Sequence, residues 1–296
     1  MSEEREGTNR LSEKPGLEGA YDIDTYDVEY VREGDLSLLA RIYQPQAPGP
    51  FPMVIDVHGG VWTYGSRTSD EGIIRALASS GVVVASVDFR QPPVAGYPAS
   101  IADVHYAVRW LKSQAERFGG NGDIVGGLGV STGAHQLLLA AIEPDDPRYS
   151  ARQFGDRHHA FGLSFIVLCW PIVDPLERYR WAKAHDKSEI VSGHQDYWLT
   201  EAAMSDGNPQ RLLEDGHPRS LPPILILQGT GDQSIPFQIV ERFSRTYERA
   251  GGLSRLHLFD GEPHLFLRRV RDEMEPARAM ELIIDFVHNH DESMQI

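Results

Sequence analysis

The stretch Gly129-Val130-Ser131-Thr132-Gly133 restricts what this chain can fold into more than any other. Before it, Asp123 to Leu128 reads as a short buried strand. After it, Thr132 to Ile142 (TGAHQLLLAAI) reads as a helix. A G-x-S-x-G pentapeptide between the two forms a sharp strand-to-helix turn that pushes a serine hydroxyl out of the sheet as a nucleophile. The turn is so tight that the residues two before and two after the serine must lack side-chain bulk, which Gly129 and Gly133 satisfy. The pattern alone is weak, because glycine and serine are common. Its place between strand and helix gives it meaning.

The rest of the chain keeps the same alternation. Thr25–Val31 and Leu36–Tyr43 read as two strands around the turn Glu33-Gly34-Asp35. Met53–Val57 reads as a strand, Asp70–Ser80 as a helix, Val82–Val87 as a strand and Ser100–Phe118 as a long amphipathic helix. In that helix Ile101, Val104, Ala107, Val108 and Leu111 recur at three- and four-residue steps. Strands at Leu163–Leu168, Ile224–Leu227 and Leu256–Phe259 follow, with helices at Pro236–Ala250 and near Glu275–His288. The expectation is an α/β fold, a mostly parallel sheet of eight strands with helices on both faces, opened by an antiparallel pair.

Residues 1–20 read as a flexible N-terminal arm and 21–296 as one domain. Within that domain, about 174–222 breaks the alternation and is too long for an ordinary loop. It reads as a helical cap over the C-terminal strand ends, where open α/β sheets bind ligands. Trp181, Tyr197 and Trp198 in this insertion are candidate pocket residues, and anchoring the insertion is the competing role for them.

Composition narrows the partners. With 41% hydrophobic and 24% charged residues the chain has an ordinary globular balance, and its net charge of -15 argues against nucleic acid or an anionic membrane. No apolar stretch has membrane-spanning length, and the polar start lacks the apolar core of a signal peptide, so a cytoplasmic location is expected. One cysteine, Cys169, excludes an internal disulfide and reads as a buried inert thiol. His158-His159 has no carboxylate–histidine pattern around it and reads as surface loop, so no metal is expected. The Gly119–Gly122 and Gly126-Gly127 stretches match neither G-x-G-x-x-G nor G-x-x-x-x-G-K, and no cofactor is expected.

A serine hydroxyl needs a base, and the base needs an orienting acid. His264 sits in the turn-rich Asp260-Gly261-Glu262-Pro263-His264 after the strand Leu256–Phe259. Asp232 lies just after the strand Ile224–Leu227. Three candidates, each behind its own strand, make a coherent set. For the oxyanion, His58-Gly59-Gly60-Val61-Trp62 follows the strand Met53–Val57, and its glycines let N–H groups approach a substrate. Gly59, Gly60 and Thr132 are the expected donors, His58 is expected to hold the loop, and Val61 and Trp62 are added as candidate substrate contacts.

These residues resemble the α/β-hydrolase superfamily, in particular the esterase/lipase group of hormone-sensitive-lipase-like carboxylesterases and arylformamidase-like enzymes. Besides the elbow and the H-G-G-x-W loop, Val87-Asp88-Phe89-Arg90-Gln91-Pro92-Pro93 is similar to the group's D-Y-R-x-x-P segment. Tyr97-Pro98-Ala99-Ser100-Ile101-Ala102-Asp103 resembles its P-x-x-x-x-D helix start. The resemblance spans about 24–288. It implies an α/β-hydrolase fold, a Ser131–Asp232–His264 triad in the family's chain order, and structural roles for Asp88, Arg90 and Asp103. Two departures stand out: Thr132 where the family has alanine, and Gly60-Val61-Trp62 where it has three glycines. Both add bulk near the acyl site and point to a small or short acyl group.

The expected activity is hydrolysis of a small-molecule carboxylic ester through an acyl-enzyme. An amidase or N-formyl hydrolase of arylformamidase type is the alternative, since Gly133-Ala134-His135 leans that way, although His135 itself reads as a packing residue. A non-catalytic ligand-binding homologue is the alternative of another class. The final helix and the N-terminal arm are the candidate contacts for a homodimer.

Overall fold

The computed structural model describes residues 21–152, 160–218, 220–268 and 274–289. The expected arm at 1–20 and the His158-His159 pair lie outside the described residues. Strands β1 (Ile23–Glu33) and β2 (Leu36–Pro45) pair antiparallel around Gly34, and β2 pairs antiparallel with β4 (Val83–Val87). From there β4, β3 (Phe51–Val57), β5 (Gly120–Val130), β6 (Ile166–Cys169), β7 (Ile224–Gly229) and β8 (Ser254–Phe259) run parallel. Among the described residues the sheet has eight strands in the order β1-β2-β4-β3-β5-β6-β7-β8. The strands expected from the sequence are the strands of this sheet.

Alternate side chains of the central strands feed two separate cores. Ile55, Val57, Ile166 and Leu168 face α2 (Ala99–Ser113), α3 (Thr132–Ile142) and α8 (Phe237–Arg249). Val54, Leu128, Val130 and Val167 face α1 (Glu71–Ser79) and α9 (Met274–His288) on the other side. Both faces are therefore covered, which is why the strands read as nearly continuous apolar runs. Burying one such Leu or Ile side chain contributes about 1.5–3 kcal/mol. On β5, Gly126 and Gly127 have a packing purpose: a Cβ on the first would enter the Phe165 ring, and one on the second would lie 2.5 Å from Leu137 Cδ2.

One element differs from expectation. The helix read as continuous to Phe118 stops at Ser113, and a 3-10 turn covers Glu116–Phe118. Gly119 takes φ +68, its carbonyl accepts the Phe51 N–H, and Gly120 donates back to Ala115, so the chain turns into β5 three residues before Asp123.

Among the described residues, four helices lie between β6 and β7: α4 (Pro175–Ala184), α5 (Ser188–Trp198), α6 (Glu201–Asp206) and α7 (Pro209–Glu214). Asp174, Thr200 and Asn208 each accept the N–H three residues ahead, and Pro175 and Pro209 occupy first-turn positions. Such caps stabilise by about 1 kcal/mol each, and short helices depend on them. No helix among the described residues is long and apolar enough to cross a membrane.

Candidate active site

Ser131 occupies the tip of the turn between β5 and α3 with φ +54, a left-handed conformation that costs a non-glycine residue about 1–3 kcal/mol. The neighbouring structure holds it there. Its N–H donates to the Cys169 carbonyl at 2.9 Å, and its carbonyl accepts the Ile172 N–H at 3.3 Å. A Cβ on Gly129 would lie 2.5 Å from Ala134 Cα, and one on Gly133 would collide with the carbonyl oxygens of Val57 and His58. Both glycines are thus fixed by close backbone approach, as the pentapeptide required.

The loop after β3 passes beside this turn. A Cβ on Gly59 would sit 3.1 Å from Ser131 Cβ and 2.9 Å from the Val130 carbonyl oxygen. Gly60, at φ +129, accepts the Thr63 and Tyr64 N–H groups at 2.9 and 3.0 Å and so closes a tight turn. Val61 and Trp62 within that turn also have positive φ, +48 and +62. For a β-branched valine this is a pronounced outlier. Among the described residues, the N–H groups of Gly59, Gly60 and Thr132 donate no hydrogen bond to the protein. His58 is buried, stacks on Phe89 and donates Nδ1–H to the Gly59 carbonyl at 2.7 Å, while burial depresses its pKa.

Thr132 has a role that sequence reasoning missed. Its buried hydroxyl accepts the Trp62 N–H at 3.3 Å, tying the β3 loop to the elbow.

Asp232 lies in the loop after β7 and His264 in the loop after β8. His264 Nδ1 donates to Asp232 Oδ2 at 2.7 Å. Gln228 Nε2 also donates to Oδ2, and the Ser234 and Ile235 N–H groups donate to Oδ1 at 2.7 and 2.9 Å. Burial alone would raise the Asp232 pKa. The His264 hydrogen bond and charge, together with the two backbone donors, outweigh it and lower the pKa. The two loops are zipped together: Gly231 donates to Glu262, Gly261 donates to Thr230 Oγ1, and side chains at Gly229 and Gly231 would collide with the opposite backbone. Beyond His264, Arg268 binds the buried Asp70 carboxylate at 2.7 Å and anchors the loop to the start of α1. Trp170, next to the Cys169 that holds Ser131, meets the His264 ring edge-on at 6.0 Å between centroids. Ser131 and His264 therefore bear on the same two-residue segment.

The candidate pocket aromatics have a different environment from the one expected. Trp62, Tyr197 and Trp198 are 1%, 1% and 2% exposed and enclose one another. Trp62 stacks on Tyr197 at 5.3 Å and 7° and meets Trp198, His135 and His194 edge-on. Trp62 Nε1 donates to His135 Nδ1 at 3.3 Å, and His135 Nε2 donates to the Gly207 carbonyl at 2.9 Å. These rings join the β3 loop, α3 and the inserted helices into one core, so anchoring is the role their packing supports. Trp181, on α4, stacks on His185. Val61 presses on α5, where a Cβ at Gly193 would collide with its Cγ1.

Residues expected to be structural behave so. Arg90 and Asp103 form a two-pronged ion pair, both contacts at 2.8 Å, and Asp88 holds the backbone and guanidinium of Arg67. Cys169 is buried and unbonded to another cysteine. Among the described residues no group of three His, Cys, Asp or Glu side chains converges as a metal site would need.

Residues 41–247 match the sequence model of the family described as BD-FAE. Esterase LipC of Mycobacterium tuberculosis is 30% identical over 215 residues, covering 70% of this chain and 50% of that protein. Esterase LipQ of the same organism is 28% identical over 255 residues, covering 83% and 58%. The chain thus spans 50% to 58% of the length of these two curated relatives. A thermostable carboxylesterase cloned from a metagenomic library superposes with a TM-score of 0.74 at 22% identity, covering 91% of this chain and 90% of that one. The architecture is the α/β-hydrolase fold.

Proposed function

The chain belongs to the BD-FAE family, and from that premise we propose that it is a serine hydrolase that cleaves a carboxylic ester through an acyl-enzyme. The observation that carries this reading is the short Asp232–His264 hydrogen bond, made by a carboxylate whose other lone pairs are filled. With Nδ1–H given to Asp232, the His264 Nε2 lone pair is left to take the Ser131 proton. Ser131 attacks the ester carbonyl, His264 then protonates the departing alcohol, and water activated by the same imidazole releases the acid. The Gly59, Gly60 and Thr132 N–H groups receive the developing oxyanion, an interaction worth several kcal/mol. Their lack of protein acceptors, and the position of Thr132 at the N-terminus of α3, support that role.

A short acyl group is the second part of the proposal. Val61 is pinned between its own turn and Gly193 of α5 and so has little room to yield. Turnover of p-nitrophenyl esters of increasing chain length tests both parts. Activity is expected to fall beyond butyryl and to vanish in Ser131→Ala. Undiminished turnover by that variant would overturn the reading, and faster cleavage of an N-formyl anilide than of the butyryl ester would convert it to the amidase alternative.

A further inference from the structure

Helix α4 carries a guanidinium that makes no hydrogen bond or ion-pair contact with a carboxylate among the described residues. Arg178 is only 2% exposed. Its Nε donates to the Ser234 carbonyl at 3.0 Å, Nη1 is enclosed without an acceptor, and Nη2 makes no hydrogen bond. Burial lowers its pKa to about 10, with Asp232 and Tyr64 as its strongest opposing electrostatic neighbours. Asp232 attracts it electrostatically but does not bind it, because His264, Gln228, Ser234 and Ile235 already occupy both carboxylate oxygens. Elsewhere Arg67, Arg90 and Arg242 are less buried and each meets a carboxylate. An enclosed guanidinium whose donor fork engages no anion is a costly arrangement, and that planar fork fits a carboxylate.

Its position ties it to the candidate site. Ser234 lies two residues after Asp232. Tyr64 belongs to the turn that presents Gly59 and Gly60 and is 65% exposed, so the outer side of that turn faces solvent while Arg178 lies beneath it, 2% exposed. His194, whose pKa Arg178 helps to depress, packs on Trp62 in the same turn. Helix α4 itself starts three residues after Ile172, the residue bonded to the Ser131 carbonyl. Arg178 therefore stands where the acid loop, the glycine loop and the inserted helices meet.

We propose that Arg178 recognises an anionic group of the substrate, so that the ester carries a carboxylate on one side of the scissile bond. This rests on the hydrolase reading of Ser131. The carboxylate can belong to the acyl part, as in a half-ester of a dicarboxylic acid, or to the alcohol part, as in an ester of a hydroxy acid. Two substrate pairs separate them: p-nitrophenyl hemisuccinate against p-nitrophenyl butyrate, which match in acyl length, and 4-carboxyphenyl butyrate against 4-carbamoylphenyl butyrate.

In one pair kcat/KM is expected to favour the anionic ester by roughly ten- to a hundredfold, the range of a charged hydrogen bond. That ratio should collapse in Arg178→Met, recover in part in Arg178→Lys and persist in Arg180→Met, which alters an exposed arginine on the same helix. No anionic preference in either pair, or a ratio unchanged in Arg178→Met, overturns the proposal. A readout without turnover covers poor folding of the Arg178 variants. The melting temperature of Ser131→Ala should rise with succinate or 4-hydroxybenzoate and not with the matching neutral amides. No rise with either anion overturns the anion site while leaving ester hydrolysis intact. A rise in a protein whose wild type hydrolyses no ester would instead sink the hydrolase reading and leave the anion site standing.

Discussion

Thr132 carries two separate duties. Its N–H opens α3 beside Ser131, and its hydroxyl accepts the Trp62 N–H that fixes the glycine loop. Replacing it with valine keeps the shape and removes the acceptor, leaving a buried N–H unpaired at a cost of about 1–3 kcal/mol. Thr132→Ser keeps the acceptor. Urea unfolding should show the loss in Thr132→Val and little change in Thr132→Ser; equal stabilities would mean the tether contributes nothing. At Asp232 the expected effect is on rate. Asp232→Asn should lower kcat by about 10⁴-fold, because the amide favours the wrong imidazole tautomer. A loss below tenfold in steady-state kinetics would remove Asp232 from the proposed triad. The elbow and the proposed acid and base could be picked out because each sits directly after a strand with its own turn residues. The Thr132 tether was not, because its partner lies 70 residues away on another loop.

At the scale of elements, the β3 loop is shaped by the inserted helices as much as by its own sequence. Val61 and Trp62 hold positive φ because Gly193 of α5 makes room for one and Tyr197, Trp198 and His135 enclose the other. Gly193→Ala would drive a methyl into Val61 and displace the proposed oxyanion donors. A loss in kcat of ten- to a hundredfold, about 1.4–2.7 kcal/mol of barrier, is expected with a smaller change in KM. A change confined to KM would place Gly193 in substrate binding instead. The inserted helices also mark where sequence reading weakened. Asp174-Pro175, Thr200-Glu201 and Asn208-Pro209 are helix-start signals, yet the helices they open are only six to ten residues long. So few turns give periodicity little to act on. The aromatics there were legible as important, but only packing distinguishes an anchor from a pocket wall. The end of α2 was missed for a similar reason, since Phe118 completes the apolar face although Gly119 turns the chain away.

Across the whole molecule, buried histidines couple stability to pH. Burial holds His105 and His135 down to about 4 and His194 to about 3, against an ordinary value of 6.5. Below pH 6.5 the unfolded chain takes up protons that these folded sites refuse, so their effect is to lower stability as pH falls toward 4. Each contributes up to about 1.4 kcal/mol per pH unit. The buried Asp56, whose pKa is raised by burial and by Asp70, acts in the opposite sense, so a difference between variants is the cleaner measure. The stability gap between wild type and His135→Gln should narrow as pH falls from 6.5 toward 4. A constant gap would mean that His135 is not held neutral.

Everything proposed for the site converges on Ser131, and covalent labelling tests it most directly. Treated with a fluorophosphonate, the protein should gain the mass of one adduct, peptide mapping should locate it at Ser131, and the Ser131→Ala protein should gain none. An unlabelled wild type, or an adduct that survives in Ser131→Ala, would contradict the assignment of Ser131 as the nucleophile.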